Sequence, residues 1–474
     1  MNTDRVGTYR TGTDDSAPLA LSQEHMWESM RFLNPAHPGA TFLTMPAANT
    51  IRGELRPAAL EAALNAVVSR HEELRITLSE TGAGARQRVA EHIRVPLAVD
   101  ELPEDPDQAR ARAHLLHAAE DDRPFDLVRG PLLRARLLRH SAREHVLLIT
   151  FQHLLVDGWG LGSFYQALEA AYGDTVTGRA PSLPPLRASY REVAARQWAR
   201  ADFGRAACEA YWREQLDGAP PPLEIPCDRP RTALSGGEYA VRGFAFGQAT
   251  ADLLTSAAWR WRTSPFTVLT AAFNLLLHRL TGTTDVCVGS VRTTRSDPDA
   301  AALVGQFTNT VFLRTRFSPA DDFAALVGRV SRTVREAYDH DIPYRRLLDL
   351  LGLDRSGGHP RPPGDVCQGW LQVNGGGPAP EAASAALPLD GFDTPPDSLP
   401  TRLYPAGDDP RRLASFAREN PTFEFDADYA TGVMQYNTQI FGKETIDHLA
   451  DQFRRTLTMA LNNPGQPISK LKRS

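Results

Sequence analysis

The segment Gln152-His153-Leu154-Leu155-Val156-Asp157-Gly158-Trp159 gathers the residue types that could do chemistry. It directly follows HVLLITF (145–151), a β-rich and nearly all-apolar run. A histidine leaving a buried strand has a fixed ring orientation, and its ordinary pKa of about 6.5 suits proton transfer at neutral pH. Gly158 permits close backbone approach, so its N–H could face a developing oxyanion. The same His, Asp and Gly also serve in plain structural turns. His153 and Asp157 lie four residues apart, the spacing of a helical metal pair. They follow a strand, however, and no third-ligand motif such as HExxH accompanies them, so no metal is expected. Gly375-Gly376-Gly377 lacks the GK[ST] of a phosphate loop and reads as loop.

The elements that must position this segment are legible from periodicity. HVLLITF predicts a buried strand. Residues 161–172 predict a helix that Gly173 would stop. Leu60, Leu64, Val67 and Val68 recur at helical spacing after Pro57, predicting a helix over 57–72. Ser264 and Pro265 start a helix through FTVLTAAFNLLLHRL. DVCVGSV (285–291) and NTVFLRTRF (309–317) predict strands. FEFDADY and VMQYN predict a hairpin around Thr431-Gly432. Ile446, Leu449, Phe453 and Leu457 mark one face of a last helix. Residues 351–412 are loop-heavy, and no repeat of fixed period occurs.

Composition bounds the class. The chain has 474 residues, of which 42% are hydrophobic and 23% charged, with 52 basic and 57 acidic residues and a net charge of −5. This is a globular composition, and a strongly basic nucleic-acid binder is not expected. No apolar run is long enough to span a membrane, and the polar N-terminus lacks the core of a signal peptide. Cys208, Cys227, Cys287 and Cys367 form no CxxC pair, which fits buried thiols in a reducing cytosol. The Pro- and Gly-rich stretch 217–237 divides the chain into two α/β halves. The expected organisation is a flexible leader over 1–17, an N-terminal lobe over 18–216, a linker over 217–237 and a C-terminal lobe over 238–474.

The chain resembles the condensation domain of nonribosomal peptide synthetases along nearly its full length. QHLLVDG stands where that family carries HHxxxDG. LALSQEHMW (19–27), RHEELRITL (70–78), RPFDLVRGPLLRARLL (123–138), YREVAARQW (190–198), YWREQLDGAPPPLEIPCDRPR (211–231), VGQFTNTVFLR (304–314) and HDIPYRRLLDLL (340–351) resemble its other boxes, in its order. The resemblance implies an α/β (α+β) fold of two chloramphenicol-acetyltransferase-like lobes in a V-shaped pseudo-dimer, with the active site at their junction. It implies amide formation, or ester formation, between an acyl or aminoacyl thioester and an amine or hydroxyl acceptor. The donor would ride on the phosphopantetheine arm of a peptidyl or acyl carrier protein supplied in trans, with no bound cofactor. The acceptor could also be a soluble amine or alcohol.

By the same resemblance, His153 is the general base or the group that positions the acceptor amine, and Gly158 lines the reacting carbonyl. Asp157 is architectural, salt-bridged to Arg295, with Arg292 as the alternative partner. Trp159 and Asn309 line the tunnel or pack beneath it. Gln152 departs from the family, which has His there. Glutamine hydrogen-bonds but does not titrate, so it suits a structural role. The Asp residues of heterocyclizing relatives are missing, which disfavours cyclization. The chain carries no adenylation segment and no carrier serine box, so it reads as a free-standing cytoplasmic enzyme. An acyl-coenzyme A-dependent transferase and a silent module that docks carriers or recruits a tailoring enzyme are the alternatives.

Overall fold

A computed structural model describes residues 16–33, 44–81, 84–121, 123–220, 223, 225–230, 239–352, 367, 369–373, 420–426 and 429–471. These fall into two compact units. The first holds residues up to Trp198 together with Arg295–Phe307, a segment from the C-terminal half of the chain. The second holds Ala199–Thr294 and the described residues from Thr308 onward.

The first unit runs β1 (Ser16–Pro18), α1 (Leu21–Leu33), β2 (Thr44–Arg52), α2 (Pro57–Arg70), β3 (Ile76–Thr81), β4 (Gly84–Val89), β5 (Leu97–Glu101), α3 (Pro106–Asp121), β6 (Leu133–Arg139), β7 (Glu144–Gln152) and α4 (Gly158–Val176), with the boundary inside α5 (Tyr190–Phe203). Among the described residues its strands form a three-stranded sheet, β1-β4-β3, and a four-stranded sheet, β2-β7-β6-β5. β7 is antiparallel to both neighbours. One of its faces sends Val146 and Leu148 into a cluster with Ala109 and Ala113 of α3. On the other, Phe151 meets Phe164 of α4 edge-on at 5.1 Å. Burial on both faces is why HVLLITF shows no polar alternation.

The second unit runs α6 (Arg205–Leu216), β8 (Tyr239–Ala245), α7 (Gln248–Trp261), α8 (Pro265–Thr281), β9 (Asp285–Thr293), β10 (Thr308–Arg316), α9 (Phe323–Asp339), α10 (Tyr344–Leu350), β11 (Gly369–Val373), β12 (Thr422–Phe425), β13 (Thr431–Asn437) and α11 (Lys443–Asn462). Its described strands form one sheet in the order β10-β9-β11-β12-β13-β8. α8 is apolar all round and buries Thr267 through Leu277 without a break, so it is a core helix. Phe273 of α8, Phe423 of β12 and Phe453 of α11 pack on one another at 5.1–5.5 Å.

Several expectations change. Residues 199–216 pack with the C-terminal unit, so the division precedes the stretch 217–237. Arg314 of β10, 2% exposed, pairs with Asp285 and donates to the carbonyls of Gln215, Asp217 and Gly218. Trp212 Nε1 donates to His340 O at 2.7 Å. At the N-terminus, Ser16–Pro18 pair with β4, so the leader does not reach residue 17. α4 runs straight through Gly173. The glycine beyond its end is Gly178, which carries the positive φ of +79°. The strands end at Phe425 and begin again at Thr431, and between them Tyr429 is left-handed at φ 58°. Gly432 is instead a strand residue, where a Cβ would lie 2.3 Å from Glu424 O. Cys287 and Cys367 are buried, whereas Cys208 is half-buried and Cys227 exposed. Most of 351–412, including Gly375–Gly377, lies outside the described residues. Among the described residues no helix is long and apolar enough to cross a membrane.

Candidate active site

The end of β7 delivers Gln152 and His153 into a short 3-10 turn, His153–Leu155. Gln152 is buried. Its Oε1 caps the turn by accepting from Leu154 N at 3.0 Å, and its Nε2 points at Met30 Sδ, 3.1 Å away. Gln23 of α1 holds the same turn from outside, donating to Leu154 O at 3.3 Å. The amide of Gln152 thus performs a bond that a neutral imidazole at this position could also make, which is a structural service rather than a protonic one.

His153 Nδ1 lies 2.9 Å from Val156 O. A carbonyl oxygen only accepts, so Nδ1 carries the proton and Nε2 holds the basic lone pair. Burial pushes the imidazole below its ordinary pKa; the Val156 carbonyl and the Asp157 charge offset this in part. The ring is therefore neutral at pH 7, the state a base requires.

Asp157 is the N-cap of α4, accepting from Gly160 N at 2.6 Å. Arg295 Nη2 donates to its Oδ1 at 2.8 Å, and Phe307 N donates to its Oδ2 at 2.9 Å. Both charged side chains are 2–3% exposed. Arg295 also donates to the carbonyls of Ala300, Leu303 and Gly305 at 2.6–2.9 Å. Its guanidinium lies 4.6 Å from the Phe307 ring centre. Arg292 goes elsewhere, lying 3.6 Å from Asp341 in the second unit. Gly158 opens α4 and is exposed, and its N–H has no acceptor among the described residues. A helix N-terminus with a free N–H attracts negative charge.

Three of the other sequence boxes, 19–27, 70–78 and 190–198, converge on residues 295–307. Ser22 Oγ and Tyr190 OH both donate to Gln306 O, at 2.7 and 3.0 Å. Glu73 accepts from Val304 N at 2.7 Å. Trp159 Nε1 donates to Ala301 O at 3.1 Å, and Arg196 pairs with Asp297 and Asp299. Gly160 and Gly305 are glycines by necessity. A Cβ on the first would sit 1.7 Å from Val304 O, and one on the second 2.1 Å from the Tyr190 ring. Residue types and spacing assign no role to Gly160, Glu73 or Gln306, although the last two lie inside boxes that carry the family resemblance.

The structure thus brings Gln152, His153, Asp157, Gly158, Trp159 and Arg295 together in the first unit. Asn309 belongs to the second. There its Nδ2 donates to Asp341 Oδ1 and Ile342 O, and its Oδ1 accepts from Thr310 N and Tyr344 N, tying β10 to the loop before α10. Among the described residues no group of three or more His, Cys, Asp or Glu is placed to hold a metal ion.

The profile of the condensation domain family matches residues 13–360. Phosphinothricin tripeptide synthetase PhsC of Streptomyces viridochromogenes is 34% identical over 466 residues, covering 98% of this chain and 41% of that protein. Chondramide synthase cmdD of Chondromyces crocatus is 30% identical over 468 residues, covering 96% of this chain and 11% of that protein. The chain therefore spans less than half the length of these relatives. Among solved structures, the X-domain from teicoplanin biosynthesis matches at 26% identity and TM-score 0.77, covering 98% of this chain and 99% of that one. SgcC5 of Streptomyces globisporus, in complex with (R)-(-)-1-(2-naphthyl)-1,2-ethanediol and sucrose, matches at 25% identity and TM-score 0.74, covering 95% and 100%. These likenesses give the two units the chloramphenicol-acetyltransferase-like fold of condensation domains. The chain belongs to the condensation domain family of nonribosomal peptide synthesis.

Proposed function

We propose that this chain joins a carrier-bound acyl or aminoacyl thioester to an amine acceptor, forming an amide. The observation that carries this reading is the fixed tautomer of His153, with Nδ1–H on the Val156 carbonyl and Nε2 basic. An acceptor α-amine, of pKa about 8, is mostly protonated at pH 7 and must shed a proton before or during attack. The amine lone pair attacks the thioester carbon and forms the C–N bond. The ammonium's first proton goes to solvent before attack; His153 Nε2 takes the second from the N–H₂⁺ of the tetrahedral intermediate, the C–S bond breaks, and the thiolate of the phosphopantetheine arm leaves, recovering that second proton from the imidazolium. The Gly158 N–H at the start of α4 supports charge on the carbonyl oxygen during this step. The phosphopantetheine arm is part of the substrate, delivered by a peptidyl or acyl carrier protein. SgcC5 was solved with a bound aryl diol, which extends the candidate acceptors to hydroxyl groups and the product to an ester.

A second reading has an observation of its own. Gln152 replaces the first histidine of the family motif, and the X-domain, which has been solved in complex with OxyB, shares this fold. On that reading the chain docks carriers or a tailoring enzyme without chemistry.

The discriminating experiment is acyl transfer followed by intact-protein mass spectrometry. Holo carrier proteins and acyl-coenzyme A are loaded with the same acyl groups and offered with amines and alcohols, using wild type and His153→Ala. Transfer from the carrier that collapses at least ~100-fold in the variant supports the enzyme. Equal background transfer in both, with measurable carrier binding, overturns it in favour of docking. Turnover with the coenzyme thioester alone overturns the carrier donor.

A further inference from the structure

We infer that Glu73, outside the motif that carries the chemistry, is a positioning residue that sets the first turn of α4 through the backbone at Val304. This rests on the reading of His153 and Gly158 as the reacting end of the first unit.

Glu73 lies in the short turn Glu72–Arg75 and is completely buried. Its Oε1 accepts from His71 Nδ1 at 3.1 Å and from Val304 N at 2.7 Å. Its Oε2 is buried with no hydrogen-bond partner among the described residues. Burial opposes its charge, but the His71 contact and the backbone N–H groups outweigh that and hold it below the usual carboxylate range. An ionised carboxylate kept in the interior is costly, and an ordinary turn needs none.

What the carboxylate holds explains its presence. The peptide at Val304 is flanked by Leu303 and Gly305, whose carbonyls both accept from Arg295. Arg295 in turn donates to Asp157, which caps α4. The Val304 carbonyl also occupies the space that a Cβ on Gly160 would need, so it abuts the first turn of α4 directly. One carboxylate oxygen therefore fixes a peptide that reaches α4 twice, once through Arg295 and Asp157 and once by contact at Gly160. Gly158, whose N–H opens that turn, lies two residues from Gly160.

The test is Glu73→Gln in the full chain, with Glu73→Ala beside it. The Gln variant keeps the shape and can still accept from Val304 N, but it loses the charge facing His71 and places an N–H₂ donor where Oε2 has no hydrogen-bond partner among the described residues. Two readouts are made. Hydrogen exchange by mass spectrometry compares peptides covering 153–165 and 295–307 with one covering α11. Acyl transfer gives kcat and KM for the carrier donor. Glu73→Gln is expected to raise exchange at least tenfold in the first two peptides and leave α11 unchanged. It should lower kcat by about 10- to 100-fold with KM within about twofold, and Glu73→Ala should go further in the same direction. Unchanged exchange at 153–165 in a folded Gln variant overturns the inference, whether or not the wild type turns over. Exchange raised equally in all three peptides also overturns it, since that reports global destabilisation. An inactive wild type with local loosening in the variant would instead remove the catalytic reading and leave the positioning intact.

Discussion

Asp157 and His153, four residues apart, are held by different partners. Asp157 is buried among three donors: Arg295, Gly160 N and Phe307 N. Stranding either charge of that pair would cost about 3–5 kcal/mol. His153 is a half-buried neutral ring, and desolvation, partly offset by Val156 and Asp157, lowers its pKa. The sign of its linkage follows. Between the folded pKa and the unfolded value of about 6.5, the unfolded chain binds more protons, so stability falls as pH drops through that window. Above about pH 6.5 the ring costs nothing. An NMR titration of His153 should give a midpoint below 6.5, and the urea stability gap between wild type and His153→Asn should narrow on acidification from pH 7 to 5. A midpoint at 7 or above would remove the neutral base from the proposed mechanism. Little of this was readable from spacing. Arg295 is 138 residues from Asp157 and is named as its partner only by the family resemblance, with Arg292, which lies on Asp341, as the alternative. Gly160 carried no signal at all, because only the Val304 carbonyl explains it.

Helix starts were more legible than helix ends or turns. Local side-chain chemistry fixes a start, whereas a tertiary approach often decides what a glycine is for. Ser264 and Pro265 open α8 as their types demand, with the Ser264 hydroxyl accepting from Thr267 N at 3.2 Å. Pro57 likewise opens α2, and its buried stripe includes Leu60, Leu64, Val67 and Val68. By contrast, Gly173 sits inside α4 and Gly432 inside β13, where a neighbouring backbone comes too close for a Cβ in the second case. The cap of α8 gives a direct test, since this helix is the buried centre of the second unit. Ser264→Ala removes the side-chain hydrogen bond from Thr267 N, which also donates to Ser264 O at 3.0 Å, together with the hydroxyl contact to Thr267 Oγ1, and should cost about 1 kcal/mol. Ser264→Asp should recover most of that. Chemical denaturation read from the second unit checks it, and an Ala midpoint equal to wild type would mean that tertiary burial alone holds the helix start.

At the scale of the whole molecule, the Pro- and Gly-rich stretch 217–237 pointed to two halves, but neither the division at 198–199 nor the exchange of a segment was legible there. Nothing in the local pattern of 295–307 says that it leaves the unit of its flanking strands, β9 and β10. The reason is distributed: Ser22, Glu73, Asp157, Trp159, Tyr190 and Arg196 each bond to a group in 297–307 or to Arg295. None of these residues is interpretable without the others. The first unit is therefore incomplete as a continuous piece of chain. A fragment of residues 16–203 would leave Asp157 and Glu73 buried without Arg295 and Val304, and Tyr190 and Ser22 without Gln306 O, several unsatisfied groups at about 1–3 kcal/mol each. That sum is comparable to the whole stability of a typical domain, about 5–15 kcal/mol. The fragment should accordingly show helical far-UV dichroism with little near-UV signal and poor amide dispersion. Joining residues 295–307 to its C-terminus through a flexible linker should restore a cooperative unfolding transition. A fragment of 16–203 that is already dispersed and cooperative would show that the segment decorates a finished unit, and the convergence of the sequence boxes on it would then need a purely catalytic explanation.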